Sequence, residues 1–437
     1  MVLALPLIIG QLSNVGMSFI DALMAGRLSA EALAAVAIGG TLWNSFTIFL
    51  IGTLLAVPAL ISQLDGAGRR GRMGRLIRQA LWLAVCLGVS ITVLLHPVAP
   101  LLSLVGLEPA VLDQAVEYVR AISWGAPFLG VYLVLRYFSD GLGLTRPTMY
   151  IGLAGMLLNI PADYVLMFGA FGIEGMGARG TGYATALVLA FQCTTMAVVV
   201  LRGRAYAEVG VFSRFERPAW RRISQILRLG LPVGAAIFVE SSMFVAATLL
   251  MGSLGTMTLA GHQVALNFSG LMFMIPLGLG LAITVRVGNA AGRGDLPEAR
   301  FRGIAGLSVV LCTQVFSATV IWLFPEQIAG LYTQDVAVAN IAVTLLFFSA
   351  IFQLSDGIQV AAAAALRGLK DTTIPMIIMI GSYWMVGIPL SYYLGIIAGR
   401  SGSGIWIGLI TGLTVAAVAL TLRFFGLTKL QPRTRLT

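Results

Sequence analysis

Long apolar runs make up almost all of this 437-residue chain, and they leave few structures that it can adopt. Hydrophobic residues form 58% of the sequence and charged residues only 11%, well below the charged fraction of a typical soluble domain. Because a bilayer core offers no water to backbone N–H and C=O groups, an apolar run of about 20 residues is expected to cross it as a helix. The chain is therefore predicted to be an all-α integral membrane protein without a separate soluble domain.

Twelve such runs can be distinguished, and each is predicted to be a transmembrane helix. Their bounds are about 3–26, 33–61, 76–104, 114–141, 147–169, 180–201, 224–252, 258–285, 301–323, 337–366, 373–398 and 403–426. An even number of crossings returns the chain to the side of the membrane on which it began.

The basic residues are divided unequally between the two sides of this arrangement. All but four of the 28 Lys and Arg residues lie in the loops after even-numbered helices, in the helix ends on that side, or in the carboxy-terminal tail. The four on the other side are Arg27, Arg120, Arg179 and Arg400. Because basic loops tend to stay in the cytoplasm, both termini are predicted to be cytoplasmic and the chain to lie in the plasma (inner) membrane. The net charge of +10 then faces anionic lipids and implies no nucleic-acid partner.

The second half of the sequence resembles the first at an offset near 226 residues. Residues 5–7 (LPL) resemble 231–233 (LPV), and residues 160–164 (IPADY) resemble 388–392 (IPLSY). Each repeat contains six predicted helices, so the two halves should share one orientation and be related by a pseudo-two-fold axis along the membrane normal.

These repeats divide the chain into an amino-terminal lobe (1–201), a basic cytoplasmic linker (202–223) and a carboxy-terminal lobe with a short basic tail (224–437). Two repeats around a central cavity are a common architecture among transporters, in which one lobe rocks against the other to alternate access.

Four carboxylates lie inside the predicted helices: Asp21, Asp163, Glu240 and Asp356. An ionised acid at the bilayer centre costs roughly 2.5 to 3.5 kcal/mol on insertion scales. No basic residue is expected at a comparable depth, so each acid must hold a proton or neutralise a bound cation. A site that couples transport to an ion gradient alternates between such protonated and cation-bound states. The alternative explanation for these acids is that they only form hydrogen bonds between helices.

Other polar residues share helix faces with these acids. Gln11, Asn14, Ser18 and Asp21 are spaced by three, four and three residues and form one stripe on the first helix. Asn159 and Asp163 are four apart, with Pro161 between them. Phe352, Asp356 and Gln359 form the corresponding stripe on the tenth helix, and Gln263 and Asn267 share a face of the eighth. We expect Asn14, Ser18, Gln263, Asn267, Phe352 and Gln359 to be candidate cavity-lining residues.

Several other classes of function are disfavoured. Gly66, Gly68 and Gly71 match a dinucleotide-binding motif, but no strand precedes them and no βαβ unit surrounds them. The chain has no Walker A motif, so an ion gradient rather than ATP is the expected energy source. Three isolated cysteines and two histidines offer neither a metal spacing nor a nucleophile with its base. We expect neither an enzyme nor a bound cofactor.

At these residues the sequence resembles the multidrug and toxic compound extrusion (MATE) family, in particular its NorM branch, over nearly the whole chain. The motifs are 19–21 (FID), 24–26 (MAG), 140–147 (DGLGLTRP), 159–161 (NIP), 239–240 (VE), 261–263 (GHQ) and 355–357 (SDG). The resemblance implies a twelve-helix, V-shaped antiporter that exports organic cations in exchange for Na⁺ or H⁺. It also implies a sodium site at Glu240 and Asp356 in the carboxy lobe and a polar cluster of Asp21, Asn159 and Asp163 in the amino lobe.

One departure from the family concerns the coupling ion. Related members have a Tyr one turn before the position of Asp356, whereas this chain has Phe352, which offers no hydroxyl oxygen. A hard cation needs several oxygen ligands. The loss of this oxygen therefore favours coupling to protons, or to both ions, over coupling to sodium alone.

The resulting hypothesis is a monomeric antiporter of lipophilic cationic drugs or dyes. In it, Asp21, Glu240 and Asp356 bind the coupling cation and the drug in alternation. The rival hypothesis is a lipid-linked oligosaccharide flippase of related architecture. That rival would need basic groups in the cavity to hold a pyrophosphate, and the sequence places no Arg or Lys in the middle of a helix.

Overall fold

The computed structural model describes residues 3–104, 106 and 108–429. These residues fold into helices joined by short loops, and their one β-type pairing is an isolated bridge between Ala170 and Ile173. The all-α prediction is therefore confirmed.

Eleven helices in the described part of the chain are long and apolar enough to cross a membrane, and a bent pair of helices forms a further span. We number the spans 1 to 12 in chain order: Ala4–Leu28, Ala30–Gly66, Arg70–Leu95, the bent pair Pro109–Ser123 and Ala126–Gly141, Arg146–Gly169, Ala178–Arg202, Trp220–Ser253, Thr256–Gly292, Leu296–Leu323, Val336–Gly368, Thr373–Ile397 and Ser401–Leu427. Each span coincides with one predicted run. Short helices at Ala99–Ser103, Arg204–Ala207 and Pro325–Tyr332 lie in the connections.

Side-chain caps fix the beginnings of several spans. Ser29 accepts a hydrogen bond from the Ala32 backbone N–H at the start of span 2. Asp295 caps span 9, and Asp335 caps span 10. The first N–H groups of a helix have no partner within the helix, so a polar side chain at this position satisfies one or two of them and sets where the span begins.

The bend in span 4 measures 44° and falls between Ser123 and Ala126. Pro127 follows the break, where its missing N–H and its ring prevent a regular helical turn. Gly125 lies at the break itself, and a Cβ atom there would meet Leu189 of span 6. The bend is therefore a consequence of one proline and one close contact between helices.

The fifth span of each half is irregular in the same way. Span 5 passes from α-helix to π-helix at Tyr164–Gly169, directly after Pro161 and Asp163. Span 11 contains two π-helical segments, Gly381–Gly387 and Tyr393–Ile397, on either side of Pro389. A proline removes one backbone hydrogen bond, and π-type turns are often found at functional sites.

The chain divides into two compact units, Met1–Gly234 and Ala235–Thr437. The division falls within span 7, so the segment between spans 6 and 7, here called the connector (203–219), belongs to the first unit. In that unit span 1 packs on span 5, span 5 on span 6, and the first half of span 4 packs between spans 2 and 6.

In the second unit span 10 is the central helix and contacts spans 8, 9 and 12. Span 11 packs closely on span 12 through glycine. A Cβ atom on Gly412 would meet the backbone of Gly387, and one on Gly408 would overlap Ser391. This close approach fixes the π-helical part of span 11 against the core of the unit.

The connector is held against span 3 by hydrogen bonds to its backbone. Arg78 Nη1 donates to the carbonyl oxygens of Gly210 (2.9 Å) and Val211 (3.1 Å). Trp82 Nε1 donates to the Glu216 carbonyl oxygen at 3.0 Å. Gln79 Nε2 donates to the Arg217 carbonyl oxygen at 3.1 Å. The predicted linker is thus packed on the first unit along much of its length.

Glu216 lies at the centre of this attachment. Its carboxylate accepts from Arg78 Nη2 at 2.9 Å and from Arg222 Nη1 at 3.3 Å, and Arg75 Nε lies 3.8 Å away. The hydrogen bond from Arg78 and the surrounding positive charge hold the pKa of the Glu216 carboxyl below its usual range. The ionised form therefore stabilises the attachment at neutral pH.

We expect Glu216→Gln to loosen the connector and increase the rate of trypsin cleavage at its arginines severalfold, as measured by limited proteolysis in detergent. Because burial of this ion cluster is partial, the global unfolding temperature should change little. Because the Glu216 pKa is lowered, its contribution is complete above the ordinary value of 4.5 and is lost as the pH falls below it. The wild-type connector should therefore become more susceptible to an acid-active protease in that range.

Glu208→Gln is the matched control, because Glu208 pairs with Arg70 in a solvent-exposed contact of the same connector. Equal cleavage rates for the two variants would contradict a special role of Glu216.

Candidate functional site

Asn159 lies between two carboxylates in the first unit. Its Nδ2 donates to Asp21 Oδ1 at 2.6 Å and to Asp163 Oδ2 at 2.9 Å. Thr185 Oγ1 of span 6 donates to Asp21 Oδ2 at 3.3 Å. The structure therefore brings together all three predicted amino-lobe residues, in a cluster built by spans 1, 5 and 6.

This amino-lobe cluster is buried and short of hydrogen-bond donors. Asn159 and Asp163 are fully buried, and Asp21 is 7% exposed. Asp163 Oδ1 and Asn159 Oδ1 have no hydrogen-bond partner within the described chain. The salt bridges found among the described residues include neither aspartate. Asp21 and Asp163 also lie close enough to hydrogen-bond with each other, which requires a proton on one of the two carboxyl groups.

Small residues allow spans 1 and 5 to approach closely beside this cluster. A Cβ atom on Gly152 would touch Gly10 and Ser13 of span 1, and one on Gly16 would overlap the side chain of Met156. Small residues at helix contacts are typical of membrane proteins, because they let the backbones of two helices approach closely. The short Asp21–Asn159 contact depends on this approach.

The predicted polar stripe of span 1 is only partly buried. Asp21 points into the cluster, whereas Asn14 and Ser18 are exposed and Gln11 is half-buried. Asn14 and Ser18 therefore remain candidates for lining a cavity and do not join the Asp21 cluster.

Gln11 belongs instead to a second buried polar group, centred on Arg136. Arg136 Nη2 donates to Gln11 Oε1 at 2.9 Å, and its Nε lies 3.7 Å from Asp140 Oδ2. Thr148 Oγ1 donates to Asp140 Oδ1 at 3.0 Å. Arg136 is only 3% exposed.

The sequence predicts no Arg or Lys in the middle of a helix, and this prediction is wrong for Arg136, which is buried inside span 4. The spacing of Arg136 and Asp140 by one helical turn within a predicted helix was the available signal. The contact with Gln11 could not be read from spacing, because it joins two different helices.

The second unit contains its own pair of acids. Glu240 of span 7 and Asp356 of span 10 lie close enough for their charges to interact, and the Gln359 side chain lies against Glu240. Asp356 and Gln359 are buried. Three oxygens have no hydrogen-bond partner in the described chain: Glu240 Oε1, Asp356 Oδ1 and Gln359 Oε1. We call this group, with Tyr383 described next, the carboxy-lobe cluster.

Tyr383 lies near these acids and is not among the predicted site residues. It lies in the first π-helical segment of span 11, is fully buried, and its hydroxyl has no hydrogen-bond partner among the described residues. Both Glu240 and Asp356 lie within electrostatic range of it. No periodicity in the apolar sequence around Tyr383 marks it as polar-facing, so only the tertiary structure reveals it.

Phe352 has a different place from the one expected. Its ring packs on Phe244 with a centroid distance of 5.9 Å and on Trp406 with 5.6 Å. It is 3% exposed. His262 packs on the other side of Trp406, at 5.8 Å. Phe352 is therefore part of an aromatic core beside the carboxy-lobe cluster.

Gln263 and Asn267, the other predicted lining residues, are half-buried and exposed, respectively. Asn267 Nδ2 donates to the Gln263 carbonyl oxygen of its own helix at 2.8 Å. Within the described chain, no hydrogen bond joins either side chain to Glu240 or Asp356.

The comparison with known proteins identifies the family. The MatE family model matches residues 6–165 and again 232–393. The chain belongs to the MatE family. The two matches begin 226 residues apart, which confirms the internal repeat predicted from the sequence.

Relatives of this MatE protein are similar along almost the whole chain. The "Probable multidrug resistance protein NorM" of Xanthomonas campestris pv. campestris is 45% identical over 422 residues, covering 97% of this chain and 92% of that protein. The "Multidrug resistance protein PmpM" of Pseudomonas aeruginosa is 44% identical over 426 residues, covering 96% and 89%.

Solved structures of MATE proteins share the fold. A crystal structure of MATE in the bent conformation superposes with a TM-score of 0.90 at 21% identity, covering 98% of this chain and 94% of that chain. The eukaryotic MATE transporter AtDTX14 gives a TM-score of 0.88 at 20% identity, covering 97% and 94%. These likenesses confirm the two-lobed helical architecture of this MatE protein.

We expect Arg136→Met to destabilise the protein by roughly 3–5 kcal/mol, because it leaves Asp140 buried without a counter-charge. Replacing both partners, Arg136→Met with Asp140→Leu, should recover much of this loss, since no uncompensated charge then remains. The measurement is thermal unfolding in detergent micelles.

Arg70→Met is the control, because Arg70 forms exposed ion pairs with Asp65 and Glu208 and should contribute about 0–1 kcal/mol. A double variant as unstable as the single variant would show that Arg136 acts through packing and not through its charge.

Proposed function

We propose that this MatE protein is a multidrug efflux antiporter that exports lipophilic organic cations in exchange for Na⁺ or H⁺. The observation that carries the proposal is the presence, in each compact unit, of two neighbouring buried carboxyl groups with no basic partner in the described chain. Asp21 and Asp163 form one pair, and Glu240 and Asp356 form the other.

Electrostatics explains why such pairs point to cations. Two unit negative charges about 4 Å apart repel by roughly 4 kcal/mol at an effective dielectric constant of 20. A pair of buried carboxyl groups is therefore stable only with a bound proton or a bound cation between its members. A site that must always hold one of several positive species can exchange them, and such exchange is the chemistry of antiport.

The names of the relatives support the drug as the second cation, because the Xanthomonas and Pseudomonas proteins are both called multidrug resistance proteins. In the proposed cycle the coupling ion and the drug compete for Asp21, Glu240 and Asp356. These acids would be exposed first to one side of the inner membrane and then to the other. Because the two cations compete for the same acids, each exchange moves them in opposite directions across the membrane. The protein would act as a monomer, without a cofactor.

The flippase alternative has less support from the site. A pyrophosphate group needs cationic ligands, whereas both described carboxyl pairs are acidic. Arg136 is the buried basic side chain in the first unit, and its charge is already paired with Asp140.

We expect Asp21→Asn and Asp356→Asn to reduce the efflux of a fluorescent lipophilic cation from proteoliposomes to the rate of protein-free vesicles. Each substitution keeps the size of the side chain and removes the charge that binds the cation. Efflux is measured under an imposed Na⁺ gradient and, separately, under an imposed proton gradient.

Glu298→Gln serves as the control, because Glu298 pairs with Arg302 near the start of span 9, away from both clusters. Undiminished efflux in both Asp21→Asn and Asp356→Asn would contradict the proposal. Transport of a lipid-linked oligosaccharide without transport of the dye would favour the flippase.

The proposed orientation places the connector in the cytoplasm. Trypsin is expected to cleave after Arg204 and Arg214 of the connector in inside-out membrane vesicles, whereas right-side-out vesicles should be protected until they are opened by detergent. Cleavage of the connector in sealed right-side-out vesicles would reverse the orientation.

A further inference from the structure

We propose that a groove between span 3 and the connector binds an anionic phospholipid, with its phosphate beside Arg78 and Arg214 and an acyl chain along span 3. The lipid belongs to the leaflet on the connector side of the membrane, which is the cytoplasmic leaflet in the orientation proposed above. This inference goes beyond the proposed antiport and does not depend on it.

The groove is an open depression in the first unit, with a volume of about 330 Å³, within the range of small-molecule sites. One wall is a face of span 3, and the other is a face of the connector. The Phe215 ring packs edge-on against Trp82 with a centroid distance of 5.9 Å, so the two walls are in contact and fix the shape of the groove. The apolar lining residues are Leu81, Trp82, Val85, Val211, Phe212 and Phe215.

The first argument is the exposure of large apolar side chains around the connector. Phe212, Phe215 and Trp220 are all exposed, and Phe215 is 81% exposed. They alternate in sequence with Arg214 and Arg217. Aromatic side chains interleaved with basic ones are typical of segments that lie among lipid headgroups, where lipid covers the rings and the basic groups meet phosphates. The connector therefore has the composition of a segment that lies at the membrane interface.

The second argument is that the groove opens onto the lipid-facing side of span 3. Leu81, Val85, Val89 and Val93 are spaced by four residues and lie on one face of the helix. The three valines are exposed. Because span 3 crosses the membrane, this exposed apolar face is covered by acyl chains. Arg78 lies one turn before Leu81, so a chain that follows the face ends at the basic end of the groove.

The third argument is the charge at that end. Arg78, Arg214 and Glu216 line it. The Glu216 carboxylate is already bound by Arg78 and Arg222 and lies 3.8 Å from Arg75, so positive charge is in excess. Arg214 is exposed and has no hydrogen bond or ion pair in the described chain, and Arg78 Nε has no hydrogen-bond partner there.

This combination of features selects the occupant. Guanidinium groups bind phosphate oxygens well, and basic pockets beside membrane helices are recognised sites for anionic lipid headgroups. A soluble anion would contact only the arginines and leave the aromatic walls uncovered. A phospholipid with a net negative charge satisfies both the basic end and the apolar walls.

Thermal unfolding of the purified protein in a neutral detergent tests this site. Phosphatidylglycerol should raise the wild-type unfolding temperature at a lower concentration than phosphatidylcholine with the same acyl chains. Arg214→Gln should raise the phosphatidylglycerol concentration for half of this effect by about fivefold, as expected for loss of one arginine beside an anionic lipid. It should leave the response to phosphatidylcholine unchanged. An equal response of the wild type to the two lipids would overturn the proposal.

Arg217→Gln is the matched control, because Arg217 is an exposed arginine of the same connector and lies outside the groove. Equal losses in Arg214→Gln and Arg217→Gln would show that the attraction is spread over the whole basic surface and would overturn the groove as the site. Without added lipid, Arg214→Gln should unfold at the wild-type temperature, because Arg214 has no partner in the described chain. A variant that is less stable without lipid but keeps the wild-type lipid dependence would also overturn the proposal.

Phe212→Ser tests the apolar part of the groove. It should weaken the effect of phosphatidylglycerol severalfold, because it removes an apolar wall and leaves both arginines in place. Inorganic phosphate at constant ionic strength should not reproduce the stabilisation. Stabilisation by inorganic phosphate that is lost in Arg214→Gln and kept in Phe212→Ser would identify a site for a soluble anion and overturn the lipid assignment.

Lipid binding and dye efflux can fail separately. A wild-type protein that exports the dye but shows no preference for phosphatidylglycerol would overturn the lipid site and leave the antiport proposal intact. A protein that prefers phosphatidylglycerol and exports no dye under either gradient would support the lipid site and overturn the antiport proposal.

Discussion

The cost of burying a carboxylate without a counter-charge governs the functional part of this structure. Each compact unit buries two acids among apolar helices, and each meets that cost differently. In the first unit Asn159 bridges Asp21 and Asp163 with its two N–H groups. In the second unit the acids face neutral oxygens that have no partners in the described chain. Arg136 and Asp140 meet the same cost in a third way, as a buried ion pair. Their opposite charges balance, so the pair has no net negative charge that could bind a cation.

Irregular helix geometry places these groups. A bilayer tolerates departures from the α-helix only where neighbouring helices protect the backbone. The fifth span of each repeat contains a proline and a π-helical segment, and each brings a polar side chain to the acids of its unit. The two repeats kept this deformable helix and changed the residues on it. Asn159 and Asp163 correspond to Gly387 and Ser391, while Tyr383 has no polar counterpart, since its aligned residue is Gly155.

The sequence was sufficient for those features that depend on one helix at a time. Apolar length predicts the twelve spans, the repeat predicts two units, and a spacing of one turn predicts that Asn159 and Asp163 act together. Contacts between helices distant in sequence were not accessible in this way. Gln11 accepts a hydrogen bond from Arg136 across 125 positions, and Tyr383 lies within electrostatic range of Glu240 although the two residues belong to spans that share no pattern. The shared helix face of Phe352 and Asp356 predicts that Phe352 lines a cavity, whereas in the structure its ring packs against Phe244 and Trp406.

The difference in hydrogen bonding between the two clusters has a consequence for ion exchange. In the first unit two carboxylate oxygens already accept N–H donors from Asn159, so a small metal ion would compete with these bonds for its ligands. A proton needs only one of the remaining oxygens, such as Asp163 Oδ1. In the second unit the Gln359 side chain lies against Glu240, and Glu240 Oε1, Asp356 Oδ1 and Gln359 Oε1 have no hydrogen-bond partner in the described chain. Under the proposed antiport, the two clusters therefore differ in how many carboxylate oxygens are already engaged by an amide before a cation binds.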